Sequence, residues 1–100
     1  MNKIVIQIDD EDILEIIPIY LKGRREELEI LTEAAAQNDF ATLREIGHKL
    51  KGSGGSFGFD RISEVGEKLE SSAKAQDQPA VMQAIAELRD FLGRVAVVSK

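Results

Sequence analysis

Apolar residues recur along the chain at steps of three and four, and the recurrence is interrupted at a few Asp, Pro and Gly positions, the signature of successive amphipathic helices. The first residues differ. Ile4, Val5, Ile6 and Ile8 form a β-branched run suited to an extended segment, but no second strand signal offers it a partner, and it is expected to lie against helices. Asp9 and Asp10 supply N-cap oxygens ahead of Ile13, Leu14, Ile16 and Ile17, which predicts a short first helix ending at Pro18. Pro18 suits the first turn of a second helix, which carries Leu21, Leu28, Leu31 and Ala35 to about Asn38 and contains Gly23 at some cost in propensity. Asp39 caps a third, with Phe40, Leu43, Ile46 and Leu50 on one stripe before glycines dominate from Gly52 to Gly58. A fourth begins near Asp60 with Ile62, Val65, Leu69 and Ala73, and a fifth near Asp77, with Pro79 early and Val81, Ile85, Leu88, Leu92 and Val95 inside. The tail, Val97, Val98, Ser99 and Lys100, is expected to fray. Short connections between long helices predict an all-α fold, an up-and-down antiparallel four-helix bundle with a short additional N-terminal helix.

Length and charge narrow the possibilities. One hundred residues make one domain spanning residues 1–100, with its core at about residues 10–95, since two domains would each bury too little surface. A formal charge of −5 repels a phosphate backbone, and no basic run is long enough to offset it, so nucleic-acid binding is not expected. The chain has no Cys, which excludes disulfides and thiolate chemistry and suits a reducing compartment. The start is too short and too acidic for a signal peptide, and no apolar stretch approaches the roughly 20 residues that span a bilayer. A cytoplasmic monomer without membrane attachment is expected.

The chain holds one histidine, His48. At about 100° per residue, the third helix places His48 well away from the stripe of Phe40, Leu43, Ile46 and Leu50, so its ring faces solvent. Ala41, Gly52 and Gly55 fall close to it on the same wheel, flanked by Arg44 and Lys51 on one side and Glu45 on the other. Gly52, one turn after His48, stands where Ala would stabilise a helix by up to about 1 kcal/mol, which implies a need for bare backbone there. A side-chain-free approach to an exposed imidazole is what a second protein needs to bring a phosphoryl donor to the ring. Lys51 can set an ammonium against phosphoryl oxygens, and an imidazole, largely neutral near pH 7, is a nucleophile without a dedicated base.

Other chemistries fit less well. Glu45 and His48 have the Glu-x-x-His spacing of di-iron bundles, but such a site needs two of these pairs and inward-facing ligands. The glycine-rich run after Leu50 lacks the preceding strand and the Gly-Lys-Ser/Thr ending of a phosphate cradle. The acids at positions 9–12 and 26–29 suit helix starts and exposed faces. General-base hydrolysis would need a concave pocket, which a convex helix face does not provide.

The run HKLKGSGGSFG, residues 48–58, resembles the signature of the histidine-containing phosphotransfer (HPt) domains of bacterial phosphorelays, with its His-x-x-Lys-Gly core and a glycine ten residues past the histidine. The likeness extends through the turn Asn38, Asp39, Phe40 and the helix after Phe59, over roughly residues 13–92. It implies a phosphoryl carrier without autonomous kinase activity, which accepts the group on His48 from a receiver-domain aspartate or a histidine kinase system and passes it to another receiver. It further implies that Lys51 contacts the phosphoryl oxygens, Gly52 leaves room for the partner and Gly58 turns the chain. Gly47 stands where the family often has Ala, which slightly raises local flexibility without removing any needed group. Arg44 and Gly55 are expected beside the histidine, and Ile13, Ile17 and Leu21 are candidates for the apolar patch that docks a receiver. The implied partners are response-regulator receiver domains and a hybrid histidine kinase. Magnesium belongs to the receiver, and no cofactor or metal site is implied in this chain. The alternative is a helical adaptor that binds signalling partners without carrying phosphate. A start methionine and a full helical pattern favour a stand-alone protein over a fragment of a hybrid kinase.

Overall fold

In the computed structural model, which describes residues 2–99, four helices and a small parallel ribbon follow one another: β1 (Ile4–Gln7), α1 (Glu11–Ala36), α2 (Phe40–Ser53), α3 (Asp60–Lys74), α4 (Gln78–Arg94) and β2 (Val95–Val98). Of the aspartates expected to cap helices, Asp10 and Asp39 do so, whereas the Asp9 carboxylate accepts from the Gln7 amide instead; Asp77, where the last helix was expected to begin, caps it. Asp10 accepts from the N–H groups of Asp12 and Ile13, Asp39 from that of Thr42, and Asp77 from that of Ala80, each satisfying donors the first turn leaves unpaired.

Each helix packs on its neighbour in sequence, and α1 also packs on α4, so the four close a ring around one core. Arg25 reaches the carbonyl of Leu92 and Arg89 reaches Thr32, so α1 and α4 run antiparallel. The core is built from Leu31, Leu43, Leu50, Phe59, Ile62, Val65, Leu69, Leu88 and Phe91, all nearly or fully buried. No helix among the described residues is long and apolar enough to cross a membrane.

The N-terminal part corrects the expectation from sequence. There is no separate short helix; α1 runs unbroken through Pro18. A proline inside a helix removes one hydrogen bond and costs about 3 kcal/mol. The buried stripe continues on both sides of it through Ile17, Tyr20, Leu21 and Leu31, and that continuous burial outweighs one local loss. The first β-branched run does find a partner: β1 pairs in parallel with β2, with Ile4 opposite Val95 and Gln7 opposite Val98. Val95, expected inside the last helix, turns extended (φ −67°, ψ 134°) and begins β2. Of the tail expected to fray, Val97 and Val98 are held in that ribbon, and Lys100 lies outside the described residues.

Candidate functional site

His48 lies on α2, facing α3, and two glycines explain why the helices meet there. A methyl group on Gly47 would come within 2.7 Å of the Glu70 nitrogen and 3.0 Å of the Gly66 carbonyl, and one on Gly66 would collide with the backbone nitrogen of Lys51. The backbones of α2 and α3 therefore approach more closely than helices carrying larger side chains can. In this antiparallel register, the residue after Gly47 faces the residue one turn beyond Gly66. Those residues are His48 and Glu70.

The contact is a hydrogen bond of 2.9 Å between His48 Nδ1 and Glu70 Oε2. A carboxylate only accepts, so Nδ1 carries the proton and donates, leaving the lone pair on Nε2. Nε2 has no hydrogen-bond partner among the described residues, and the side chain is 74% exposed. The other carboxylate oxygen of Glu70 lies 3.9 Å from Lys51 Nζ, so one acid, itself only 20% exposed, orients both the ring and the ammonium.

Two shallow depressions flank this ridge. One, of about 490 Å³, is lined by Ala41, Arg44, Glu45, His48, Lys49 and Glu70. The other, of about 320 Å³, is lined by His48, Lys51, Glu67, Glu70, Ser71 and Lys74. Among the described residues no three His, Cys, Asp or Glu side chains converge as a metal site.

Of the other residues singled out from sequence, Gly52 has nothing within 4 Å of where its side chain would sit. No packing among the described residues requires it to be bare. Gly55 instead acts locally: its N–H donates to Ser63 Oγ at 2.7 Å, and that hydroxyl donates to the Lys51 carbonyl at 2.9 Å, which ties the end of α2 to α3. Gly58 adopts φ +90° after a single 3₁₀ turn (Gly55–Phe57), a left-handed conformation that turns the chain from α2 toward α3. Ile17 and Leu21 are core residues at 4% and 7% exposure, and Ile13 is half-buried. They offer little surface to a partner. The exposed apolar residues on α1 are Ile16, Ile19 and Ile30.

Sequence reasoning missed Glu70 and Ser63. The available signal was the pair of glycines in consecutive helices, Gly47 and Gly66, whose alignment fixes which side chains of α2 and α3 meet.

An exposed imidazole, oriented by a carboxylate on the convex surface of a helical bundle, defines a site built to be approached by another protein rather than to enclose a small substrate. The family model described as the Hpt domain matches residues 15–97, and the chain belongs to that family. Hpt domains are phosphotransfer carriers of phosphorelays and not autonomous kinases. Neither the curated proteins nor the solved structures gave a match.

Proposed function

We propose that Nε2 of His48 takes a phosphoryl group from the phosphoaspartate of a receiver domain, or from a histidine kinase system, and returns it to an aspartate of another receiver. The observation that carries this reading is the hydrogen bond from Nδ1 to Glu70, which leaves the Nε2 lone pair directed at solvent. As the N–P bond forms, the P–O bond to the donor aspartate breaks and the carboxylate leaves; the reverse step re-forms the acyl phosphate. A ring that holds its Nδ1 proton while Nε2 is phosphorylated becomes cationic, and Glu70 lies where that charge develops. Lys51, on the same face, meets the phosphoryl oxygens. Magnesium is supplied by the receiver, and this chain contributes no metal ligand to the transfer.

Gly52 gives the incoming receiver clearance. Ile16, Ile19 and Gly23 fall within about 60° of one another on α1, on the same side as Ile30, which borders Asp39 and Thr42 at the start of α2. This strip replaces Ile17 and Leu21 as the apolar docking surface. The decisive experiment incubates the protein with a labelled phospho-receiver. The wild type should acquire acid-labile, base-stable phosphate and His48→Gln none. Failure of the wild type with every receiver tried would leave the chain a non-phosphorylated adaptor, and equal labelling of His48→Gln would move the site elsewhere.

A further inference from the structure

The ribbon of β1 and β2 stands apart from the histidine site and has an open edge. The Ile8 N–H donates to the Val98 carbonyl at 2.9 Å. Along a strand, backbone groups point to the same side at every second residue, so even-numbered positions of β1 face β2. The N–H and C=O groups of Lys3, Val5 and Gln7 therefore point away from it, and none of the three forms a backbone hydrogen bond outside the ribbon among the described residues. The side chains alternate as well. Ile4 and Ile6 pack against the core and Ile8 is buried in it, whereas Val5 is 63% exposed. The edge is thus anchored from below by its isoleucines. From Ile4 to Ile8 it carries no charge and no proline, the features that usually protect a strand edge from pairing.

We propose that this edge pairs with the same edge of a second copy of the chain, β1 antiparallel to β1 across a two-fold axis, giving a four-stranded sheet with β2 on each outer side. The two-fold requires a self-complementary strand, and charge selects the register. Centred on Ile6, the pairing sets Lys3 opposite Asp9 of the second copy at both ends, and Val5 opposite Gln7. Centred on Val5, it sets Lys3 opposite Gln7 and Val5 opposite itself. Both keep the outward groups of Lys3, Val5 and Gln7 in the ladder, but only the first brings opposite charges together, once at each end. The Asp9 carboxylate also accepts from the Gln7 amide at 3.3 Å, and its two oxygens carry lone pairs for several donors at once. Two strands alone are marginal in water, and pairing doubles their number without rearranging the bundle. The dimer departs from the monomer expected from sequence.

Sedimentation velocity of the full chain over a concentration series tests this. The wild type should pass from monomer to dimer mass as concentration rises, with the weak affinity typical of a small interface. Lys3→Glu and Asp9→Lys should each weaken association about tenfold by turning two attractions into repulsions, and the double variant should recover it. Val5→Pro, which removes an outward N–H that β2 does not use, should abolish the dimer while the helical circular dichroism is unchanged. A chain that stays monomeric into the millimolar range overturns the proposal, as it would if the edge served an extended segment of another protein. So does a dimer indifferent to both charge reversals, or a double variant no better than the singles.

Discussion

Replacing Glu70 by Gln tests whether the acid on α3 stabilises the phosphorylated ring or merely touches it. The amide is nearly isosteric and its oxygen can still accept from His48 Nδ1, so the substitution isolates charge from hydrogen bonding. The ring and the carboxylate are bonded at 2.9 Å, which puts their charge centres about 4 Å apart. At that separation a unit pair is worth about 1 kcal/mol in water and about 4 kcal/mol at a protein surface. Because the His48 side chain is 74% exposed, the lower end applies, and about 1.4 kcal/mol corresponds to a factor of ten. Glu70→Gln should therefore shift the equilibrium between phosphohistidine and the receiver's phosphoaspartate about tenfold toward the receiver. Rapid-quench measurement of the forward and reverse rates with one receiver gives that constant directly. Glu70→Ala, which also removes the acceptor, should shift it further. An unchanged constant in Glu70→Gln would refute the charge argument. A shift toward phosphohistidine would mean that the carboxylate chiefly restrains Lys51, 3.9 Å away.

Other outcomes follow from the packing around the site. Gly66→Ala forces a methyl group into the backbone of α2, so it should destabilise the fold by about 1–3 kcal/mol and slow transfer through loss of the His48 contact to Glu70; denaturant melts and labelling rates check the two effects. Gly52→Ala, whose methyl group meets nothing within 4 Å, should stabilise the chain by up to about 1 kcal/mol yet slow transfer from a receiver, and equal rates would remove the case for clearance. Glu87 bonds to Lys68 at 3.0 Å and to Arg61 at 2.8 Å, and these cations, Lys68 foremost, hold its carboxyl below the ordinary glutamate value although partial burial opposes them. A depressed folded-state pKa contributes stability that is present above the unfolded value, about 4.3, and is lost as pH falls through the folded one. Glu87→Gln should therefore melt lower than wild type at pH 7, and the gap should close as pH falls below that value.

The helices were legible where burial and capping agree with local pattern. Asp39 caps where expected, the last helix begins near Asp77, and the stripes of α3 and α4 from Ile62 to Leu92 are buried as read. Two features depended on information that no local window contains. Pro18 reads as a boundary only if its own propensity is weighed without the stripe on either side, which tertiary burial overrides. Val95 continues the three- and four-residue spacing of Leu88 and Leu92, so it reads as helix, and Val97 and Val98 read as a fraying tail, until the partner of this run is known. That partner lies at the other end of the chain, in Ile4–Gln7, and a parallel pairing leaves no hairpin turn to announce it.

The site divides along the same line. His48 outside the stripe, Lys51 one turn on and a bare Gly52 all lie on one helix, so periodicity alone relates them. Glu70 lies on another, and its place opposite His48 depends on how α2 and α3 are aligned. That alignment is set by Gly47 and Gly66, whose missing side chains fit into each other's backbones. Gly47, read from the sequence as a mild source of flexibility, therefore has the opposite effect in the fold: it locks a close crossing. A larger residue at either position would separate the helices, and the ring and its carboxylate, only 2.9 Å apart, would be the first polar contact on that face to open. The orientation of the Nε2 lone pair in this chain is accordingly a consequence of glycine packing beneath the histidine as much as of the residues beside it.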